Sequence, residues 1–340
     1  MEEARFVVES TLVPHTAFES AIQRIKQCLA YSLKSPEPIC LALVGESRTG
    51  KSRVLEETEL LMPRSRTAEG AVVPILRVTA PSRPTVKGVA GLLLKSLGDP
   101  KWESGTEINR TGRLEDQLRL SGTLMIMIDE FQHFFDKGTQ KIFYDAADWL
   151  KTLVDQTKVT LVVSGLESCL PVLCRNEQLS GRFLAPIYMR RFNWLDEASR
   201  EDFMSILEAF NESMSQNFTM PQLNSPEMAF RFWCASGGLM GHLTKLLRQA
   251  VWDSCDVGRS SISLEGFEQA HKTSIWAESG VVIVDSPFAR AFSFDVTQEK
   301  IAMALAVGVR EVETEPNHRQ RLRPRTNAVA LSQVLTARGA

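Results

Sequence analysis

Ile39-Cys-Leu-Ala-Leu-Val44-Gly45-Glu46-Ser47-Arg48-Thr49-Gly50-Lys51-Ser52 is the stretch on which the reading of this chain turns. Pro36 and Pro38 break the chain just before it, and a short apolar run bounded by such breakers predicts a buried parallel strand. The run enters GxxxxGKS directly, and SRVLEETELLM then carries on with helical character. Strand, glycine loop and helix in that order give the motif its meaning. Glycines let backbone N–H groups curl around phosphate oxygens, and the helix N-terminus adds partial positive charge. Residues Gly45, Glu46, Ser47, Arg48, Thr49, Gly50, Lys51 and Ser52 are therefore expected to cradle the phosphates of ATP. Lys51 would reach the β and γ phosphates, and Ser52 Oγ would ligate Mg²⁺. The plain alternative is an idle glycine turn.

A second half of such a site stands at Thr123-Leu-Met-Ile-Met-Ile128-Asp129-Glu130. A buried apolar run that ends in two adjacent carboxylates is a costly place for charge unless a cation or a water uses it. Asp129 is expected to hold Mg²⁺ through its water shell, and Glu130 to polarise an attacking water. The pair lies about 77 residues beyond Ser52, with a strand and helices between. The next apolar run, VTLVV, ends in Ser164-Gly165; Ser164 either bonds the attacking water or γ-phosphate, or simply begins a turn. Arg182, after the polar NEQLSGRF stretch, is either an arginine finger reaching a neighbouring subunit or a surface arginine, with Arg175 in reserve.

Around these motifs the chain alternates. Apolar runs at 39–44, 72–78, 123–128 and 159–163 are separated by helical patterns at 85–97 and 139–157, and a helical stripe over 17–34 precedes them. That alternation predicts an α/β fold, a parallel sheet covered on both faces. After about 192 only helical segments follow, at 196–211, 226–235, 240–253 and 264–277. The expected organisation is an N-terminal helical extension (1–36), an α/β nucleotide-binding domain (37–192), a small all-α lid (193–277) and an irregular, partner-binding tail (278–340). Within that tail 316–325 packs four arginines and His318 around two prolines.

Composition bounds the rest. With 340 residues, 44% hydrophobic and 24% charged, the chain has the make-up of a globular protein with an ample core. No apolar run reaches the length of a membrane span, and MEEARFVVES is too acidic for a signal peptide. Six cysteines without a CxxC pair, and no histidine at ligand spacing, read as reduced thiols in a cytoplasmic protein. A net charge of −2 gives no global reason to bind nucleic acid, so any contact needs a local patch. Arg77, Arg83 and Lys87 are the candidates, against the alternative of solvated surface charge. Phe131, Phe134 and Phe135 read as core or subunit-interface packing.

The order phosphate loop, Asp-Glu, polar strand tip, arginine, helical lid resembles the AAA+ ATPases. VTAPSRPT (78–85), IDEFQHFF (128–135), ADWLKTLVDQTKVTLVVSGLES (147–168), GRF (181–183) and SGGLMGHLTKLLRQA (236–250) narrow the resemblance to the TnsC/TniB group, ATP-dependent target-selection regulators of Tn-type transposons. It spans about 15–275. The resemblance implies subunits that assemble with ATP into rings or filaments on double-stranded DNA, linking a TniQ/TnsD-like target-selection protein to the transposase, with hydrolysis driving disassembly. Whether an RNA-guided, CRISPR-associated complex or a DNA-binding protein supplies the target stays open. Two departures stand out: Ser164 replaces the commonest asparagine, and GGLMGHL offers no arginine at the usual lid sensor position, leaving His242 or Lys245 as substitutes. The alternative is a replication initiator or helicase-loader ATPase, which would typically carry a winged helix after the lid. Signalling NTPases and small-molecule kinases fit less well, for want of sensor domains or an acceptor pocket.

Overall fold

Strand β1 (Cys40–Val44) is buried at every position, and its side chains alternate between two cores. The other strands are β2 (Ser65–Thr67), β3 (Gly70–Val72), β4 (Ile75–Thr79), β5 (Met125–Asp129), β6 (Thr160–Gly165) and β7 (Ile187–Tyr188). In the computed structural model β1 and β4–β7 form one sheet in the order β4-β5-β6-β1-β7, every pairing parallel. The structure describes residues 2–308 apart from 33, 35, 36, 83, 137–139, 176 and 276–285. Helices α1 (Val7–Ser10), α2 (Thr16–Ser32), α3 (Lys51–Leu60), α4 (Val86–Leu97), α5 (Glu107–Leu120), α6 (His133–Asp136), α7 (Gln140–Thr157), α8 (Leu170–Arg175) and α9 (Glu177–Ser180) accompany the sheet. Helices α10 (Glu197–Ser215), α11 (Pro226–Ser236), α12 (Met240–Asp256), α13 (Leu264–Ser274) and α14 (Gln298–Ala306) follow it.

The sheet is apolar on both faces, as its unbroken runs require. Leu41, Leu43, Met125, Met127 and Val162 pack with Val54 and Leu55 of α3 and with Phe18, Ala21 and Ile25 of α2. Cys40, Ala42, Val44, Ile126, Ile128, Leu161 and Val163 pack with α4, α5 and α7 on the other face. Phe131 and Phe134 join that second core, their rings 4.8 Å apart. Parallel strands align their C-terminal ends, so Val44, Asp129 and Gly165 finish at one edge of the sheet, where ligands of such sheets bind.

The apolar run at 72–78 divides, because Pro74 has no N–H for the ladder. Val72 ends the exposed β2–β3 hairpin, and β4 begins at Ile75. Strand β7 had no signal in the sequence; two residues are too few to carry a period. Among the described residues no disulfide joins the cysteines, and burial pushes the Cys40 and Cys234 thiols up to about 12.

A third core is helical. Phe203, Phe210, Phe230, Phe232, Trp233, Leu246 and Phe267 fill it, and Ala4, Val7 and Val8 from the N-terminus enter it. So do Phe288 and Ala304, which corrects the expectation of an irregular chain from 278 onward. Arg231, 3% exposed, fastens this stretch by donating to the carbonyls of Pro287 (2.7 Å), Ala289 (2.9 Å) and Phe292 (3.0 Å). The hold is a buried side chain reaching across 56 to 61 positions, so no local pattern announces it. The basic stretch 316–325 lies outside the described residues.

Candidate functional site

The loop after β1 is shaped by close approach. A Cβ at Gly45 would lie 1.9 Å from the carbonyl oxygen of Met189, so the chain beside β7 admits only glycine there. Gly50 caps α3 with φ +96°, and Arg48 takes φ +68°, a left-handed backbone uncommon for a side-chain-bearing residue. The turn feeds the first N–H groups of α3 toward the same edge at which β5 ends.

Lys51 is buried, and its Nζ donates to the carbonyls of Gly45 (2.9 Å) and Glu46 (2.6 Å). Burial pushes its ammonium below the ordinary lysine range, while Asp129 and Glu130 pull it back up. Ser52 Oγ donates to Asp129 Oδ2 at 2.7 Å, and Asp129 Oδ1 accepts from the Glu130 N–H at 2.9 Å. Glu130 sits at φ +55°, a strained backbone of the kind that clusters at functional sites. Its carboxylate accepts from Gln132 Nε2, and Gln132 Oε1 accepts from the Leu166 N–H at 3.2 Å. Gln132 thus ties Glu130 to the turn after β6, and Gly165 leaves the room: a Cβ there would stand 2.7 Å from Gln132 Oε1.

A cavity of about 460 Å³ opens over these groups. Residues 47, 48 and 50–53 line it with Glu130 and Gln132, and Val8, Leu12, Val13, Phe210 and Met240 line it together with the polar Glu9, Thr11, Thr244 and Arg248. The residues suit a nucleoside triphosphate with Mg²⁺. Ser52 and Asp129 present converging oxygen donors beside a buried ammonium, and the lining includes apolar side chains such as Val8, Val13 and Phe210 that could receive a base. Among the described residues no group of three or more His, Cys, Asp and Glu could hold a metal alone. A divalent ion here would share Ser52 and Asp129 with phosphate oxygens.

Other sequence candidates fare differently. Ser164 lies within β6, fully buried, its Oγ without a partner among the described residues, and it does not line the cavity. Arg182 sits beyond the opposite end of β1, where its backbone carbonyl accepts from the Cys40 N–H; its guanidinium grips Asp155 bidentately at 2.9 and 2.8 Å. It lines a separate cavity with Arg24, Cys28 and Tyr31. Arg77 is no free positive charge: it pairs with Glu59 at 2.9 Å and Glu56 at 3.5 Å, because α3 packs its acidic face on β4. Lys87 is exposed on α4, and Arg83 lies outside the described residues. Of the lid candidates, His242 is buried and Lys245 exposed, and neither lines the cavity.

The sequence reading missed the residues that roof the cavity. Residues 11–15 cross from the helical core to the sheet core above the phosphate loop. Met240, Thr244 and Arg248 of α12 line it too, at a spacing of four that puts them on one helix face. Arg248 is paired with Glu9. That i, i+4, i+8 row was available in the sequence, but nothing local says which face of α12 meets the loop.

Solved structures of similar fold include a Cdc6p from Pyrobaculum aerophilum (TM-score 0.59, 15% identity, covering 80% of this chain and 72% of that one). The ORC1 protein of Aeropyrum pernix, solved in complex with DNA, matches with TM-score 0.56 and 19% identity over 79% of this chain and 68% of its own. The Aeropyrum pernix ORC2 protein, solved with ADPNP and ADP, also gives TM-score 0.56, at 15% identity over 79% and 71%. The five-stranded parallel sheet with its helical C-terminal region is thus the AAA+ fold. No curated protein matches the chain by sequence. Residues 3–193, which carry the phosphate loop, the Asp129-Glu130 pair and Arg182, match the model of the bacterial TniB proteins, and the chain belongs to that family.

Proposed function

We propose that this protein is an ATPase used as a switch in DNA transposition, assembling on duplex DNA with ATP and leaving it after hydrolysis. The observation that carries the reading is the meeting of Lys51, Ser52 and Glu130 at one cavity, with Asp129 bonded to Ser52 and to the Glu130 N–H, in a chain of the TniB family. Lys51 Nζ would trade the carbonyls of Gly45 and Glu46 for phosphate oxygens. Ser52 and Asp129 would hold Mg²⁺, which draws charge from the phosphates when bound. Glu130, oriented by Gln132, would take the proton of the attacking water on its carboxylate. Arg182 stands away from its own phosphate loop, which suits action on a neighbouring copy in a ring or filament. Lys87, repeated around such an assembly, would track DNA phosphates, and a target-selection protein and the transposase would be the protein partners.

A replication initiator or helicase loader is the second reading, favoured by the likeness in fold to the Cdc6 and ORC proteins. Membership of the TniB family favours transposition. The test is duplex binding with and without a slowly hydrolysed ATP analogue across a salt series. Binding that requires nucleotide and falls steeply with salt supports assembly on DNA; equal binding without nucleotide refutes it. Stimulation of a transposase encoded beside this gene separates the two readings.

A further inference from the structure

Two residues of the phosphate loop are bonded to the helical region. Arg191, between β7 and α10, has a side chain only 11% exposed. Its Nε donates to both Glu46 carboxylate oxygens, at 2.9 and 3.0 Å, and Nη2 adds a third bond to the same group. Its Nη1 donates to the carbonyls of Gly237 (3.2 Å), Leu305 (3.0 Å) and Val307 (3.4 Å). One guanidinium therefore joins the phosphate loop, the turn that ends α11 and the end of α14. The second bond is main chain to main chain, from the Gly241 N–H to the Arg48 carbonyl at 2.8 Å. A Cβ at 241 would lie 2.9 Å from Arg48 Cβ, so α12 begins directly on the loop. At Gly237 a Cβ would lie 2.6 Å from the carbonyl oxygen of Ala304, so a tilt of the α11 turn carries α14 with it.

We infer that Arg191 is a positioning residue that passes the state of the phosphate loop to the helical region and α14. The inference rests on the nucleotide reading of the cavity. Lys51 Nζ bonds the carbonyls of Gly45 and Glu46, and Glu46 is the residue whose carboxylate Arg191 holds. A triphosphate that takes Nζ removes the ammonium from both carbonyls and leaves the Glu46 carbonyl with the Thr49 Oγ1 donor at 2.9 Å, so the backbone from Gly45 to Arg48 settles anew. If the Glu46 carboxylate shifts, the guanidinium has to follow, since a cation this deeply set is expensive to leave unpaired. Its three carbonyl partners then shift with it, and the Arg48–Gly241 bond moves α12 in the same step. Coupling of this kind needs only that the two loop states bind Arg191 differently.

The experiment is hydrogen exchange across residues 240–250 and 298–308 with and without ATP·Mg²⁺, beside a direct measurement of ATP affinity. Wild type should bind ATP and change its exchange in 298–308 by about tenfold. Arg191→Met keeps the unbranched apolar stem without the guanidinium and its charge. It should bind ATP within about threefold of wild type while the nucleotide-linked change falls below about twofold. Arg191→Lys cannot serve a carboxylate bidentately and three carbonyls at once, so it should fall between, and it is the variant to read if Arg191→Met fails to fold. A full response in either variant overturns the inference, as does a wild type that binds ATP without any change in 298–308. A wild type that binds no ATP overturns the nucleotide reading of the cavity instead.

Discussion

Ser52 Oγ and Asp129 Oδ2 lie 2.7 Å apart, although 77 positions of chain separate them. The first residues of α3 and the last residue of β5 meet because the sheet aligns strand ends, and Asp129 shares the face of β5 on which Met125 and Met127 pack with α3. Asp129→Asn keeps an acceptor for Ser52 but removes the charge that would hold Mg²⁺. ATP hydrolysis should fall at least about 100-fold while the melting temperature stays close to wild type. Lys51→Ala should weaken ATP binding itself by a similar factor, since the loop loses its ammonium. Steady-state turnover checks the first, and titration calorimetry with ATP·Mg²⁺ the second.

Glu130→Gln removes the carboxylate that would accept a proton and retains the side-chain shape. The variant should bind ATP, fail to cleave it, and stay on DNA far longer than wild type after dilution with ATP present. Gln132→Ala should lower hydrolysis by about tenfold with ATP affinity held, because Glu130 loses its tether. Dissociation of labelled duplex reads the first and steady-state turnover the second; rapid release by Glu130→Gln would remove hydrolysis as the timer.

Arg182 and Asp155 form a two-pronged ion pair far from the phosphate loop of the same chain. Arg182→Ala should bind ATP normally and lose hydrolysis. Mixed with Lys51→Ala, it should recover part of the activity, one copy supplying the pocket and the other the arginine. Undiminished turnover by Arg182→Ala alone would exclude the role and turn attention to Arg175.

His242 titrates against folding. Burial, and then the Arg48 charge, lower it from 6.5 to about 4, so the folded chain keeps it neutral over a range in which the unfolded chain protonates it. Unfolded protein thus binds more protons between pH 6.5 and about 4, and stability drops on acidification through that window. The loss from this residue is at most about 3 kcal/mol. Burial lowers His15 and His271 as well, and they add in the same direction. His242→Gln should flatten the difference in urea midpoint between pH 7 and pH 4.5; an unchanged slope would remove His242 from the account.

Arg231→Met should loosen 286–308 from the helical core. Three carbonyls would lose a charged donor, at a cost of about 3 kcal/mol or more, so the melting temperature should fall by several degrees. Proteolysis should then cut first within that stretch. Equal resistance of variant and wild type would mean that Phe288 and Ala304 hold it unaided.

Local covalent order settled much of this protein. The apolar runs 39–44, 123–128 and 159–163 read as buried parallel strands because they are short, bounded by breakers or charges, and apolar toward both faces at almost every position. The phosphate loop was legible because its chemistry needs glycines, a lysine and a hydroxyl within eight consecutive positions. Asp129 and Glu130 were legible because charge ending an apolar run demands a use. What tertiary structure alone decided is every contact between elements distant in sequence. It set β6 between β5 and β1, paired Arg182 with Asp155 and neutralised Arg77 on α3. It laid residues 11–15 over the cavity, brought Arg248 to it, and joined Glu46 through Arg191 to α14. A side chain's period says that one face of an element is buried, but the partner that buries it is chosen by the packing of the whole sheet and its helices.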